Sequence, residues 1–262
     1  MTRVLGMRWD RLAFLHWPVP AEPLRARIPE PLDVDTFDGT AWVGVVPFEM
    51  QRVRFRGLPP LPGARRFLEL NLRTYVTLDG RPGVWFFSLD AESWTSVRGA
   101  RATFALPYFD ARMSMHDAGD GGTHFRSERR HRGAPPARFD ATYRPVGEFT
   151  RSAPGGLEHF LTERYSLYAQ RGFGVRHSLR GGLVRGDIEH PPWELAPAEV
   201  ALRECEMFAL GGVRPRGEPH GHARPGVFRG AGIDDGSALP VPVAHVARPV
   251  DVRAHAPRRA RG

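Results

Sequence analysis

The stretch that most constrains the fold of this chain is an alternating run of apolar and polar residues from Leu68 to Leu78. Successive side chains of a β-strand point to opposite faces, so the run predicts a strand with one apolar and one polar face. Asp79-Gly80 follows, and both residues tolerate the positive φ of a tight turn. Val84–Asp90 then predicts the returning strand, and together the three segments predict a β-hairpin.

The two faces of this hairpin carry different chemistry. A two-residue loop places Glu69 opposite Asp90 and Asn71 opposite Ser88. A four-residue loop is an equal alternative because Pro82 cannot donate a ladder hydrogen bond, and it preserves the faces. A loop with an odd number of residues would mix the apolar and polar side chains of the two faces. The expected core face holds Leu70, Leu72, Val76, Trp85, Phe87 and Leu89. The expected polar face holds Glu69, Asn71, Arg73, Tyr75, Phe86, Ser88 and Asp90.

The rest of the chain predicts a mainly β (α+β) protein in one domain, residues 1–262, without internal repeats. Helices are expected at Pro23–Ile28 and Gly156–Ala169, and a long loop at 211–236. Further strands are expected at Ala41–Val46, Thr103–Leu106, Thr123–Ser127, Phe139–Tyr143, Gly182–Ile188, Val200–Phe208 and Val241–Val252.

Composition excludes several classes of function. The sequence contains no lysine, since all 37 Lys+Arg side chains are arginine, so no lysine Schiff base is available. The arginines are scattered, which disfavours a nucleic-acid surface. The single Cys205 excludes an intramolecular disulfide and a cysteine-based zinc cluster, and we expect a cytoplasmic protein. No segment approaches 18 consecutive apolar residues, so no membrane span is expected.

Several blocks of sequence resemble the YqjF-like family of uncharacterised bacterial proteins, with a match running from about Met7 to Val252. That family is similar to the acetoacetate decarboxylase superfamily, and the Pro29-Glu30-Pro31-Leu32 segment carries this second resemblance. The blocks are Leu12–Val19, Ile28–Leu32, Phe37–Gly44, Phe67–Val76, Gly83–Asp90, Leu106–Phe109 and His190–Trp193.

The resemblance implies a closed antiparallel β-barrel of the acetoacetate decarboxylase-like type, with a few peripheral helices and an internal ligand cavity. In the decarboxylase, a pair of lysines after the strand matching Val84–Leu89 forms the Schiff base. The corresponding segment here, Ala91–Arg101, offers only arginine, which stays protonated and is not a nucleophile. The cavity is therefore expected to carry over without the Schiff-base chemistry.

These observations lead to a functional hypothesis. If the polar hairpin face lines the cavity rather than the solvent surface, the cavity is polar and binds a small carboxylate or carbonyl compound through Arg73. Glu69 or Asp90 is then the candidate general acid/base of a lysine-independent lyase, dehydratase or isomerase. Further candidate substrate-binding residues are Asn71, Tyr75, Ser88, Arg101 and Tyr108, the last two being equally compatible with the surface.

Two alternatives remain open at this level. One is a non-catalytic ligand-binding or sensing protein, and the other is nucleic-acid binding through arginine-rich loops. No cofactor is expected, because phosphate-binding and dinucleotide motifs are absent from the sequence. No metal is expected either, since His220 and His222 alone make a weak ligand set. A homo-oligomer is compatible with the sequence.

Overall fold

A computed structural model describes residues 3–57, 66–92, 106–170, 182–215 and 241–260. The helices are α1 (Ala21–Arg25), α2 (Leu157–Thr162) and α3 (Met207–Gly211). The strands are β1 (Arg3–Asp10), β2 (Ala13–Val19), β3 (Asp33–Val34), β4 (Ala41–Phe55), β5 (Arg66–Leu78), β6 (Arg81–Ala91), β7 (Tyr108–Asp117), β8 (Thr123–Arg129), β9 (Arg138–Pro145), β10 (Thr150–Arg151), β11 (Ser166–Gln170), β12 (Leu183–Glu189), β13 (Glu194–Cys205), β14 (Val243–Ala247), β15 (Val250–His255) and β16 (Arg258–Arg259). The expectation of a mainly β protein is confirmed.

Strand pairing closes two rings that share the central strands β4, β5 and β6. One ring runs β1, β15, β12, β11, β6, β5 and β4, and returns to β1. The other runs β6, β7, β8, β9, β13, β14, β2, β4 and β5, and returns to β6. Most pairings are antiparallel, but β6 pairs in parallel with both β11 and β7. The expected all-antiparallel arrangement is therefore wrong at these two seams.

The parallel seam between β6 and β11 depends on Gly83. A Cβ atom at this position would lie 2.7 Å from Tyr168 Cε2 and 2.8 Å from the Ser166 carbonyl oxygen. The missing side chain lets β11 approach β6 closely enough to pair, with Leu167 opposite Val84. Gly83 thus allows the first ring to close.

The β5–β6 hairpin forms as predicted at its turn but not along its whole length. Asp79 and Gly80 have φ values of 49° and 71°, and Leu78 pairs with Arg81 across a two-residue loop. Arg73 pairs with Phe86 as an even loop requires, but Leu72 then pairs with Ser88, which leaves Phe87 as an extra residue. Because of this β-bulge, the side chains of β6 that follow Phe87 lie on the opposite faces from those that the alternation predicts.

The bulge overturns part of the expected face assignment. Glu69 pairs with Ala91 and Asn71 with Leu89, whereas Asp90 pairs with Leu70 on the opposite face. The predicted pairings of Glu69 with Asp90 and of Asn71 with Ser88 are therefore wrong. Leu89, expected in the core beside Leu70, lies on the face of Glu69 instead.

The predicted helix Gly156–Ala169 is too long. Helix α2 ends at Thr162, and the apolar residues that follow belong to β11, where Tyr168 pairs with Trp85 of β6 and Arg185 of β12. Strand pairing therefore overrides the helical spacing of the sequence. The predicted loop at 211–236 lies mostly outside the described residues. Within the described ranges, no helix has the length and apolar character needed to cross a membrane.

Candidate functional site

A cavity of about 160 Å³ lies inside the first ring. Its walls come from β1, β4, β5, β6, β11, β12 and β15, with additions from the start of β2, from β7, from the end of α2 and from the segments after α2 and β12. Most of the lining side chains are aliphatic or aromatic, so the expectation of a generally polar cavity is wrong. Its polar groups are few, which is typical of small-molecule sites. They are Glu69, Asn71, Arg73, Tyr108, Thr162, Arg164, Ser166 and His190, together with the indole nitrogens of Trp9 and Trp193.

Three of these polar side chains form a stripe along one strand. Glu69, Asn71 and Arg73 occupy alternate positions of β5 and all face the cavity. At the rise of a β-strand, the Cα atoms of Glu69 and Arg73 are separated by about 13 Å. Asn71 lies between them, 4% exposed, and its Oδ1 has no hydrogen-bond partner among the described residues. The stripe therefore places the guanidinium of Arg73, the amide of Asn71 and the carboxyl group of Glu69 in a row along the cavity wall.

Glu69 forms a buried pair with Tyr108. The Tyr108 hydroxyl donates to Glu69 Oε2 at 2.9 Å, and both side chains are buried. Burial raises the pKa of Glu69 to about 8, although hydrogen bonds from Tyr108 and Asn71 act in the opposite direction. Burial also raises the pKa of Tyr108 well above its ordinary value, and the neighbouring Glu69 raises it further. Near neutral pH, Glu69 is therefore mostly protonated and able both to donate and to accept a proton.

This pKa predicts an unusual pH dependence of stability. Glu69 keeps its proton up to about pH 8 in the folded chain but releases it near pH 4.5 in the unfolded chain. Its contribution to the free energy of unfolding is therefore complete below pH 4.5 and is lost as the pH rises through 8. Relative to Glu69→Gln, the wild type should lose about 3–5 kcal/mol of unfolding free energy between pH 4.5 and pH 8. Urea denaturation at several pH values measures the difference. Glu148→Gln, at an exposed position, is the control, and parallel wild-type and Glu69→Gln curves would contradict the assignment.

Arg73 is a cation without an acidic partner among the described residues. Its Nη2 donates to the Leu161 carbonyl oxygen at 3.2 Å, and its Nε has no hydrogen-bond partner in that part of the chain. The guanidinium lies 5.1 Å from the ring centroid of Phe14 and 5.7 Å from that of Tyr75. A guanidinium packed against aromatic rings with a free N–H is prepared to receive an anion.

A second arginine lies at the same end of the cavity but is already neutralised. Arg164 Nη1 lies 2.5 Å from Asp35 Oδ2, and its Nε donates to the Phe160 carbonyl oxygen at 2.6 Å. Of the two guanidinium groups at this end of the cavity, only that of Arg164 has an ion-pair partner among the described residues. Arg164 is not among the candidate site residues that the sequence indicates. The pairing with Asp35, 129 residues away, has no local signal.

A buried histidine–tyrosine pair, His16 and Tyr75, helps to orient Arg73. The Tyr75 hydroxyl donates to the Leu161 carbonyl oxygen at 2.8 Å and lies 2.6 Å from His16 Nε2. Burial lowers the pKa of His16 well below its ordinary value, with Arg73 and His245 adding to the effect. Gly44 leaves room for this ring, since a Cβ there would lie 2.9 Å from His16 Cδ2. Arg73 and Tyr75 thus share one carbonyl, which orients the guanidinium.

The remaining predicted site residues lie elsewhere. Asp90 and Ser88 are fully buried on the opposite face of β6, where Arg129 binds both of them. Neither lines the cavity, and the bulge at Phe87 is the reason. Tyr75 is buried behind Arg73 rather than in the lining, and Arg101 falls outside the described residues. In the part of the chain that the structure describes, no three His, Cys, Asp or Glu side chains are grouped as metal ligands.

Comparison with solved structures defines the class of this fold. The chain is similar to MppR, an enduracididine biosynthesis enzyme complexed with pyruvate, at a TM-score of 0.62 and 12% identity. The match covers 99% of this chain and 91% of the MppR chain. An acetoacetate decarboxylase-like enzyme from Sphingomonas wittichii RW1 gives 0.59 at 13% identity, covering 100% of this chain and 95% of the other. Acetoacetate decarboxylase from Legionella pneumophila gives 0.57 at 14%, covering 98% and 87%. The fold is that of the acetoacetate decarboxylase-like enzymes.

The family follows from sequence. Residues 6–228 match the DUF2071 family, whose description is "Uncharacterized conserved protein". The protein YqjF of Bacillus subtilis (strain 168) is 41% identical over 217 residues, which are 82% of this chain and 85% of that protein. The chain belongs to the DUF2071 family, and the resemblance to YqjF-like proteins is confirmed.

Proposed function

We propose that this protein binds a small organic acid in the cavity of its first ring, with the carboxylate on Arg73 and Glu69 as a proton donor and acceptor. The site is the interior of an acetoacetate decarboxylase-like barrel that lacks the catalytic amine. The observation that carries the proposal is the unpaired Arg73 Nε at the end of a stripe that also presents the free Asn71 Oδ1.

The electrostatics of the site support an anionic ligand. Asp35 is bound to Arg164, and Arg73 has no ion-pair partner among the described residues. Glu69, at the far end of the stripe, is mostly neutral near pH 7 because burial raises its pKa to about 8. A ligand carboxylate therefore meets an attractive charge at Arg73, and the protonated Glu69 repels it little. A carbonyl or hydroxyl group further along the ligand would accept a hydrogen bond from Glu69.

The proton on Glu69 suggests the type of reaction. A carboxyl group with a pKa near the working pH transfers protons in both directions efficiently. Tyr108 holds Glu69 in place through its hydroxyl, which is 2.9 Å from Oε2. A lyase, dehydratase or isomerase that needs proton transfer but no amine is the reaction class that fits these groups. Turnover lost in Glu69→Gln, with binding retained, would support catalysis over simple binding.

Calorimetric titration of the wild type with matched acids and amides tests the proposal. Butyrate, hexanoate and 3-hydroxybutyrate are expected to bind at neutral pH, and the amides of the same acids should bind at least about tenfold more weakly. The amide has the same shape but no charge, so the difference isolates the interaction with Arg73. Equal affinity of acid and amide, or no binding of either across the series, would overturn the proposed function.

A further inference from the structure

The cavity extends well beyond the polar stripe. Past Glu69, the walls continue as a segment that we call the apolar arm, whose described side chains are hydrocarbon or thioether apart from the indole of Trp9, which pairs with Met50. The arm is lined by Leu5, Met7, Met50, Val53, Phe55, Phe67 and Ala254.

Strand register orders these residues along the cavity. Phe48 pairs with Glu69, and the next pair facing the cavity is Met50 with Phe67. Farther along β4, Phe55 pairs with Leu5 of β1, and Leu5 pairs in turn with Ala254 of β15. The arm therefore begins beside Glu69 and ends at Leu5, Phe55 and Ala254. Arg73 and the arm lie on opposite sides of Glu69.

The dimensions favour a long, narrow ligand. From Arg73 to Phe67 the cavity face of β5 extends for about 20 Å, at roughly 3.3 Å per residue. A water-sized sphere needs about 10–15 Å³ of such space, so the 160 Å³ of this cavity correspond to roughly ten to fifteen non-hydrogen atoms. An acid of three or four carbons leaves the apolar arm empty. Among the described residues of the arm, the Trp9 indole is the only hydrogen-bonding side chain.

We infer that the physiological ligand is a medium-chain aliphatic carboxylic acid, with its carboxylate on Arg73 and its alkyl chain in the apolar arm. The inference rests on the proposed function and adds the substrate class. The alkyl chain would run past Asn71 and then past Glu69 on its way into the arm. Methyl and methylene groups would replace solvent against Met7, Met50 and Phe67, where burial of apolar surface stabilises binding.

A chain-length series tests this inference. Butyrate, hexanoate, octanoate, decanoate and dodecanoate are titrated by calorimetry below their micelle concentrations, with 1-decanol as a probe of the tail alone. Each added pair of methylenes should strengthen binding by roughly tenfold until the arm is full. Decanol should bind at least about tenfold more weakly than decanoate, because it has no charge for Arg73.

Two substitutions at the end of the arm give opposite expectations. Ala254→Leu shortens the arm and should weaken decanoate binding at least about tenfold while leaving butyrate binding unchanged. Phe55→Ala lengthens the arm and should move the affinity maximum to a longer acid. Ala153→Leu, the same change at an exposed position, is the control and should alter neither.

The outcomes separate the two claims. If short acids bind better than their amides but affinity does not rise with chain length, the medium-chain inference is overturned and the proposed function stands. An affinity that rises with length but is unaffected by both Ala254→Leu and Phe55→Ala would also overturn the inference, because the tail would lie elsewhere. If no acid of any length binds, the proposed function fails and the inference fails with it.

Discussion

Replacing Arg129 with methionine is expected to lower the free energy of unfolding by about 3–5 kcal/mol, because it leaves the buried carboxylate of Asp90 without its counter-ion. Arg129 Nη2 lies 2.5 Å from Asp90 Oδ1, and Nε donates to Oδ2 at 3.1 Å. The side chains are 2% and 0% exposed, so water cannot replace the lost partner. Equilibrium urea denaturation measures the change.

Two further variants sharpen this prediction. Arg130→Met, next in the chain but 56% exposed, should change stability by less than about 0.5 kcal/mol. The double variant Asp90→Leu/Arg129→Met removes both charges and should recover most of the loss, since apolar replacement of a buried ion pair is often neutral. A loss below about 1 kcal/mol for Arg129→Met would contradict the structural role assigned to Asp90. Such a result would make Asp90 a candidate for the chemistry again.

Replacing Arg73 with glutamine is expected to weaken the binding of organic acids by about 2–4 kcal/mol, or roughly 30- to 1000-fold. The glutamine keeps much of the side-chain volume but removes the charge that the carboxylate would meet. The same substitution should change the free energy of unfolding by less than about 1 kcal/mol, because no protein carboxylate depends on Arg73 among the described residues. Calorimetry with decanoate and urea denaturation provide the two measurements.

Arg54→Gln is the matched control for Arg73→Gln. Arg54 lies on β4 of the same ring but is exposed, on the face away from the cavity, so its loss should leave acid binding unchanged. Decanoate binding that survives in Arg73→Gln would show that another group holds the carboxylate. The two arginines therefore carry opposite predictions. Arg129 is expected to stabilise the fold without contributing to acid binding, whereas Arg73 is expected to bind the acid while contributing little to the free energy of unfolding.

The sequence predicts the central hairpin and the strand Glu69–Arg73 well, because alternation and the Asp79-Gly80 turn are local signals. The missing lysine and the blocks of the resemblance are equally visible in the sequence. The shared face of Glu69, Asn71 and Arg73 could be named in advance on these grounds. Whether that face lines the cavity or the solvent surface stayed open, because it depends on the closure of a ring of distant strands.

The β-bulge at Phe87 could not be predicted. A bulge inserts one residue without a composition signal of its own, yet it exchanges the faces of every residue beyond it. Asp90 and Ser88 were therefore expected opposite Glu69 and Asn71 but are bound to Arg129 instead. The hydrogen-bond partners of Arg164 and Tyr108 could not be predicted from the sequence either. Their contacts with Asp35 and Glu69 join segments that are 129 and 39 residues apart.

A crystal structure of the protein with bound decanoate tests the central claim most directly. The account predicts the acid inside the first ring, with a carboxylate oxygen within about 3.2 Å of Arg73 Nε and the alkyl chain passing Glu69 into the apolar arm. Decanoate density outside this ring, with Arg73 contacting only protein groups, would contradict it.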